Sequence, residues 1–125
     1  MKEYRRINVD GVIYYGKHLI LTAHQCNENL LDKAKMASFV RQLVDKIDMV
    51  AFGDPIVERF GQGIEIGLSG VQLIETSAIT FHTNDQARDM YLDVFSCKAF
   101  PEDVVCQFVK ETLQPLSTNY QVLLR

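Results

Sequence analysis

Between Ser69 and Cys97 the chain carries four side chains that could do chemistry together: Ser69, Ser77, His82 and Cys97. Ser77 stands in a β-type run; His82 follows five residues on, Cys97 twenty on, and Ser69 precedes it by eight. A serine hydroxyl is a weak nucleophile until a base and an oxyanion donor come within hydrogen-bond reach. Alone, each residue reads as structural: a strand serine, a hydrogen-bonded histidine, a free cysteine filling a core. His18 and His24, which flank the first strand, keep that plain reading, as do Cys26 and Cys106.

The elements around these residues follow from patterning. Met1–Asp10 is polar and charged and reads as an arm or frayed edge strand. Val12–Tyr15 leads through Gly16 into KHLILTA, whose alternation of Leu19, Leu21 and Ala23 with Ile20 and Thr22 predicts a strand. Asn27 or Asn29 is the expected cap of an amphipathic helix with Leu30, Ala34, Met36, Val40, Leu43, Val44 and Ile47 on its apolar side. Gly53-Asp54-Pro55 signals a turn before a strand over Ile56–Phe60, and Gly61-Gln62-Gly63 a loop. Ile64, Ile66 and Leu68 then alternate as a strand, Gly70 is expected to break it, and β-type sequence resumes on both sides of Ser77.

Asn84-Asp85-Gln86 resembles the N-terminal cap of a helix of a turn or two, with strand again from Met90 to Phe95. Pro101-Glu102-Asp103 suits the first turn of a second helix, because proline tolerates that position and acids complement the helix dipole. Pro115 ends that helix, and Tyr120–Leu124 reads as a last strand. Two helices and five or six strands joined by short turns predict an α+β two-layer sandwich, a largely antiparallel sheet with both helices on one face. A homodimer is a natural way to cover the other face.

Composition narrows the function classes. The chain has 125 residues, 47% hydrophobic and 23% charged, which fits one soluble globular domain spanning 1–125. A net charge of -3 gives no reason to expect nucleic acid or an anionic membrane surface as partner. Three cysteines without a CxxC pair argue against a disulfide framework and a zinc site, and fit a reducing cytoplasm. The N-terminus lacks the apolar stretch of a signal peptide, and no window approaches ~20 apolar residues.

GKHLIL at 16–21, SGV at 69–71, HT at 82–83 and LDVFSC at 92–97, in this order and spacing, resemble the pyruvoyl-dependent S-adenosylmethionine decarboxylases of the short bacterial type. The resemblance covers roughly residues 15–113. It implies a proenzyme that cuts itself between Thr76 and Ser77, giving chains 1–76 and 77–125 and turning Ser77 into a pyruvoyl group, with no metal. It further implies that His82 moves a proton in processing, that Ser69 stabilises the rearranging carbonyl, and that Cys97 is the proton donor in decarboxylation. The pyruvoyl ketone takes the amine of S-adenosylmethionine as a Schiff base and serves as electron sink. Phe60, Gln86 and Glu75 are the candidates for substrate contact.

Three places differ from the family's pattern. Thr76 stands where glutamate usually precedes the cleaved serine, Ala78 where a histidine usually follows it, and Asn84-Asp85-Gln86 where tryptophan, proline and glutamate are usual. These differences motivate two other readings: a pyruvoyl decarboxylase of arginine or ornithine, and an uncleaved homologue that binds S-adenosylmethionine or regulates a partner.

Overall fold

The computed structural model describes residues 4–125; the first three residues of the expected arm lie outside them. The strands are β1 (Ile7–Val9), β2 (Val12–Tyr14), β3 (Lys17–His24), β4 (Ile56–Phe60), β5 (Gly67–Ile74), β6 (Ser77–Asn84), β7 (Asp89–Ser96) and β8 (Ser117–Leu124). The helices are α1 (Lys33–Lys46) and α2 (Glu102–Leu113). β1 and β2 form a separate hairpin, and the other six strands make an antiparallel sheet in the order β4-β5-β6-β7-β3-β8. Both helices lie on one face, so the architecture is the expected α+β two-layer sandwich.

Alternation decides which side chains the helices cover. Leu19, Leu21 and Ala23 of β3, Leu68 and Ile74 of β5, Ile79 and Phe81 of β6, and Met90, Leu92 and Val94 of β7 are all buried. Met36, Phe39, Val40, Leu43 and Val44 of α1 meet them, as do Val105, Phe108, Val109 and Leu113 of α2. Phe39 and Phe108 stack with ring centroids 5.3 Å apart, joining the two helices. Each such side chain contributes roughly 1.5–3 kcal/mol when fully buried, so this layer dominates the fold's stability. The opposite face carries His18, Ile20, Thr22, Ser69, Val71, Leu73, Thr80, His82, Tyr91, Asp93 and Phe95, and no helix covers it.

Several local expectations change. Gly70 does not break β5: its missing Cβ makes room for the Phe81 ring, whose nearest atom would lie 2.1 Å from an added methyl. Ile64 and Ile66 fall in and after a 3-10 turn over Gly63–Glu65, and the strand starts only at Gly67. Asn84 caps no helix. Its side-chain oxygen accepts from Ala87 N at 2.8 Å and its amide donates to Ile64 O at 2.7 Å, which builds the β6–β7 turn. Asp32, not an asparagine, caps α1 by accepting from Lys35 N, while Asn27 caps a short 3-10 turn ahead of it. β8 begins at Ser117, three residues before the alternation suggested, and β1–β2 gives the arm a hairpin.

Candidate active site

The bond between Thr76 and Ser77 lies where β5 turns into β6. Ile74 and Ser77 pair across a two-residue connection, Glu75-Thr76, and Glu75 N donates to Val50 O at 2.9 Å. Ser77 is in register with Ser96 at the end of β7, so the next residue, Cys97, arrives beside the turn. The Cys97 amide N–H donates to the Thr76 carbonyl at 3.0 Å. Ser96, with no exposed surface, sits 2.8 Å from Thr76 Oγ1 through its own Oγ and accepts from Lys98 N at 2.9 Å. The carbonyl before Ser77 is therefore polarised by a fixed backbone donor, and the residue that carries it is held through its side chain as well. Glu75 is exposed on the turn.

Ser69 and His82 form a second cluster. They are opposite each other in the β5–β6 ladder, on the face without helices, and Ser69 Oγ lies 2.6 Å from His82 Nδ1. Tyr91 is opposite His82 on the other side. Beside them opens a cavity of about 680 Å³ lined by Ile64, Glu65, His82, Asn84, Gln86, Ala87, Asp89 and Tyr91. That volume suits a ligand of nucleoside size. Asp89 is held within the wall, accepting from Gln25 N at 3.0 Å, with His24 Nδ1 3.5 Å away.

Ser77 and His82 do not meet. Five residues of strand at ~3.3 Å each put them roughly 16 Å apart, and the odd count turns their side chains to opposite faces. The expected site thus divides into two parts within one chain: Thr76, Ser77 and Cys97 at one end of β6, and Ser69 with His82 towards the other. Gln86 lines the cavity; Phe60 is exposed and is not part of its lining. Asp85, next to Gln86, is engaged elsewhere, accepting from Arg59 Nε at 2.9 Å through one carboxylate oxygen.

Sequence reasoning passed over Asp89, Tyr91, Ser96 and Arg6. The first three lie on β7, Asp89 and Tyr91 on the helix-free face and Ser96 on the buried one, and only sheet register relates them to His82 and Ser77. Arg6 precedes β1, yet its Nε donates to Cys97 O at 3.1 Å and its Nη2 lies 3.7 Å from Cys97 Sγ. Of the other thiols, Cys26 is pushed up to about 11, chiefly by burial and secondarily by the Asp89 charge. Cys106 is also raised, first by burial. All three cysteines are free. Among the described residues no cluster of three or more His, Cys, Asp or Glu is placed to hold a metal ion, and no helix is long and apolar enough to cross a membrane.

Residues 17–125 match the sequence model of the family described as S-adenosylmethionine decarboxylase. The chain is 30% identical over 112 residues to the S-adenosylmethionine decarboxylase proenzyme of Prochlorococcus marinus strain MIT 9211, covering 88% of each. It is 28% identical over 102 residues to the proenzyme of the same name from Clostridium botulinum strain Loch Maree, covering 80% of this chain and 84% of that one. Among solved structures, the adenosylmethionine decarboxylase of Aquifex aeolicus VF5 superposes with a TM-score of 0.74 over 90% of this chain and 91% of that one, at 19% identity, a likeness of fold. With a family match across nearly all of the described sheet and both helices, the chain belongs to the S-adenosylmethionine decarboxylase family.

Proposed function

We propose that this chain is a self-processing, pyruvoyl-dependent decarboxylase of S-adenosylmethionine, working in the cytoplasm and supplying the aminopropyl donor for polyamine synthesis. The observation that carries the reading is the Cys97 N–H held 3.0 Å from the Thr76 carbonyl oxygen, at the peptide bond that must break.

The residues fit a pyruvoyl group made from Ser77. Ser77 Oγ attacks the Thr76 carbonyl carbon, and the Cys97 N–H meets the negative charge that develops on the oxygen. The peptide nitrogen leaves, so Thr76 is joined to Ser77 through an ester. Loss of the Ser77 Cα proton expels the Thr76 carboxylate; hydration and loss of ammonia then leave a ketone at the new N-terminus. The proton at Cα needs a base, and His82 is suited to take it: its Nδ1 lies 2.6 Å from Ser69 Oγ, and in the tautomer that donates from Nδ1, Nε2 is left with its lone pair.

His82 of the same chain is too far along β6 to act. We assign the step to His82 of the partner subunit in a homodimer formed through the helix-free face. That face exposes Leu73, Tyr91 and Leu123, and among the described residues neither helix packs on it. The cavity beside His82 then becomes the substrate pocket for the partner's reactive end.

In the decarboxylation, the pyruvoyl ketone supplies the electron sink that holds the charge left by departing carbon dioxide. Cys97, whose amide holds the Thr76 carbonyl beside Ser77, would deliver a proton to that carbon from its thiol. The Tyr91 ring offers its face to the sulfonium cation, and the Asp89 and Glu65 carboxylates make the cavity favourable to a cationic ligand.

Intact-mass spectrometry under denaturing conditions tests this directly. Two fragments, 1–76 and 77–125, the second with a pyruvoyl terminus, together with carbon dioxide release from S-adenosylmethionine, are expected. A single uncleaved mass after long incubation refutes it, and release from arginine or ornithine alone refutes the substrate.

A further inference from the structure

We infer that Arg6 is a positioning residue for Cys97, which makes the N-terminal hairpin part of the active centre. The inference rests on the role given to Cys97 above. It starts from a feature ahead of the residues that match the family model, which begin at 17.

From Arg6 to Gly16 the chain is tied down at both ends. Ile7, next to Arg6, is 5% exposed, and β1 pairs with β2 through Ile7–Tyr14, Asn8–Ile13 and Val9–Val12. The far end of the hairpin is fixed too. Gly16 N donates to Arg125 O at 3.0 Å and Arg125 N donates back to Gly16 O at 2.9 Å. An added methyl at Gly16 would fall 2.6 Å from the Phe95 ring, so this backbone runs directly against β7 just before Ser96 and Cys97. Tyr15 packs on the same ring at 6.2 Å between centroids.

Anchored in this way, Arg6 reaches two atoms of one residue. The planar fork donates from Nε to the Cys97 carbonyl and approaches Cys97 Sγ with Nη2. The carbonyl contact fixes the peptide on one side of Cys97 while the Thr76 carbonyl fixes the amide on the other. The sulfur contact, at 3.7 Å, favours the thiol position that faces Nη2. Arg6 thus aims Sγ, and a proton donor aimed at the carbon acts faster than one that must search. Lysine cannot reproduce both contacts, because an ammonium lacks the fixed fork.

The test is a double-variant cycle read in kcat and KM with S-adenosylmethionine, on Arg6→Gln, Cys97→Ala and the pair, after intact mass has established cleavage in each. Arg6→Gln is expected to lower kcat about tenfold, less than the loss for removing the proton donor itself, with KM unchanged. In the Cys97→Ala background the same change should alter kcat by less than about twofold, the mark of a residue acting through Cys97. Arg6→Lys should recover only part of the loss. Equal losses in both backgrounds, or a change confined to KM, overturn the assignment.

A second readout needs no activity. In ¹⁵N spectra the Arg6 Nε–H signal, identified by its disappearance in Arg6→Gln, should stand apart from those of arginines without a hydrogen bond, and it should stay there in Cys97→Ala, which keeps the carbonyl. A signal at the unbonded position overturns the contact itself. An uncleaved protein with the displaced signal would instead refute the decarboxylase reading and leave the Arg6–Cys97 tie standing.

Discussion

Ser96 Oγ and Thr76 Oγ1 lie 2.8 Å apart in a place with no water access on the Ser96 side. This pair ties the last residue of β7 to the residue whose carbonyl the proposed processing attacks. Ser96→Ala should remove about 1 kcal/mol of stability, the worth of a typical buried hydrogen bond. Because it also frees the Thr76 side chain, it should slow the appearance of the 1–76 fragment in a mass-spectrometric time course. A variant that melts earlier but cleaves at the parental rate would confine Ser96 to a structural role.

The proposed division of the site between two copies has a direct test in mixed dimers. Ser77→Ala and His82→Ala proteins should each remain uncut, or be cut at least about 10²-fold more slowly, the scale of losing a base. Unfolded together and refolded, they should yield cleavage of the His82→Ala chain alone, since it keeps Ser77 and meets an intact histidine on its partner. Distinct affinity tags make the cut chain identifiable. Failure of the mixture to cleave while forming mixed dimers would return His82 to some other role.

Asp89 and Asp85 should respond differently to loss of charge. Asp89 lines the cavity, so Asp89→Asn should raise KM for S-adenosylmethionine several-fold with kcat little changed, as expected when binding common to ground and transition states is lost. Asp85 is occupied by Arg59 outside the cavity lining. Asp85→Asn should leave KM alone and lower the melting temperature slightly.

Glu102 gives the fold an acid-sensitive contact. Its carboxyl is held below the ordinary value of 4.5, first by the hydrogen bond from Lys17 and then by its own backbone amide. A carboxyl depressed in the folded state contributes stability above its unfolded value and loses it as the pH falls through the folded one. Thermal melts of Glu102→Gln should therefore fall less steeply than those of the parent below about pH 4.5. Glu102 is partly exposed, so added salt should shrink the difference.

The thiols should react in order of access. Cys97 is half-buried, whereas Cys26 and Cys106 are buried with their ionisation suppressed. Limited alkylation near pH 8 should label Cys97 first, as peptide mapping would show.

The sandwich was legible because its strands alternate cleanly: Leu19, Leu21 and Ala23 announce a face, and so do Met36, Val40, Leu43 and Val44. Turns were harder. Asn84 has the chemistry of a helix cap, and the same oxygen closes a β-turn when the residues after it bend back into a strand. Gly70 looked like a break because the sequence does not reveal the Phe81 ring that needs its space. At the site, Ser69 and His82 lie opposite each other in the β5–β6 ladder, 2.6 Å apart, whereas strand length separates His82 from Ser77 of the same chain. Arg6 could not be found by spacing at all, since only the fold brings residue 6 to residue 97.

Strand order has one more consequence. A cut after Thr76 assigns β3, β4 and β5 to one piece and β6, β7 and β8 to the other, so across the sheet the pieces alternate: two strands, two strands, one, one. β3 is clasped between β7 and β8, and β6 is zipped to β5. Three hydrogen-bonded seams join the halves, and α1 packs against α2 as well. The severed protein is a woven object that cannot shed either thread without unravelling. Under the proposed processing, scission follows completion of the weave, and the product should unfold as one unit rather than drift apart on dilution.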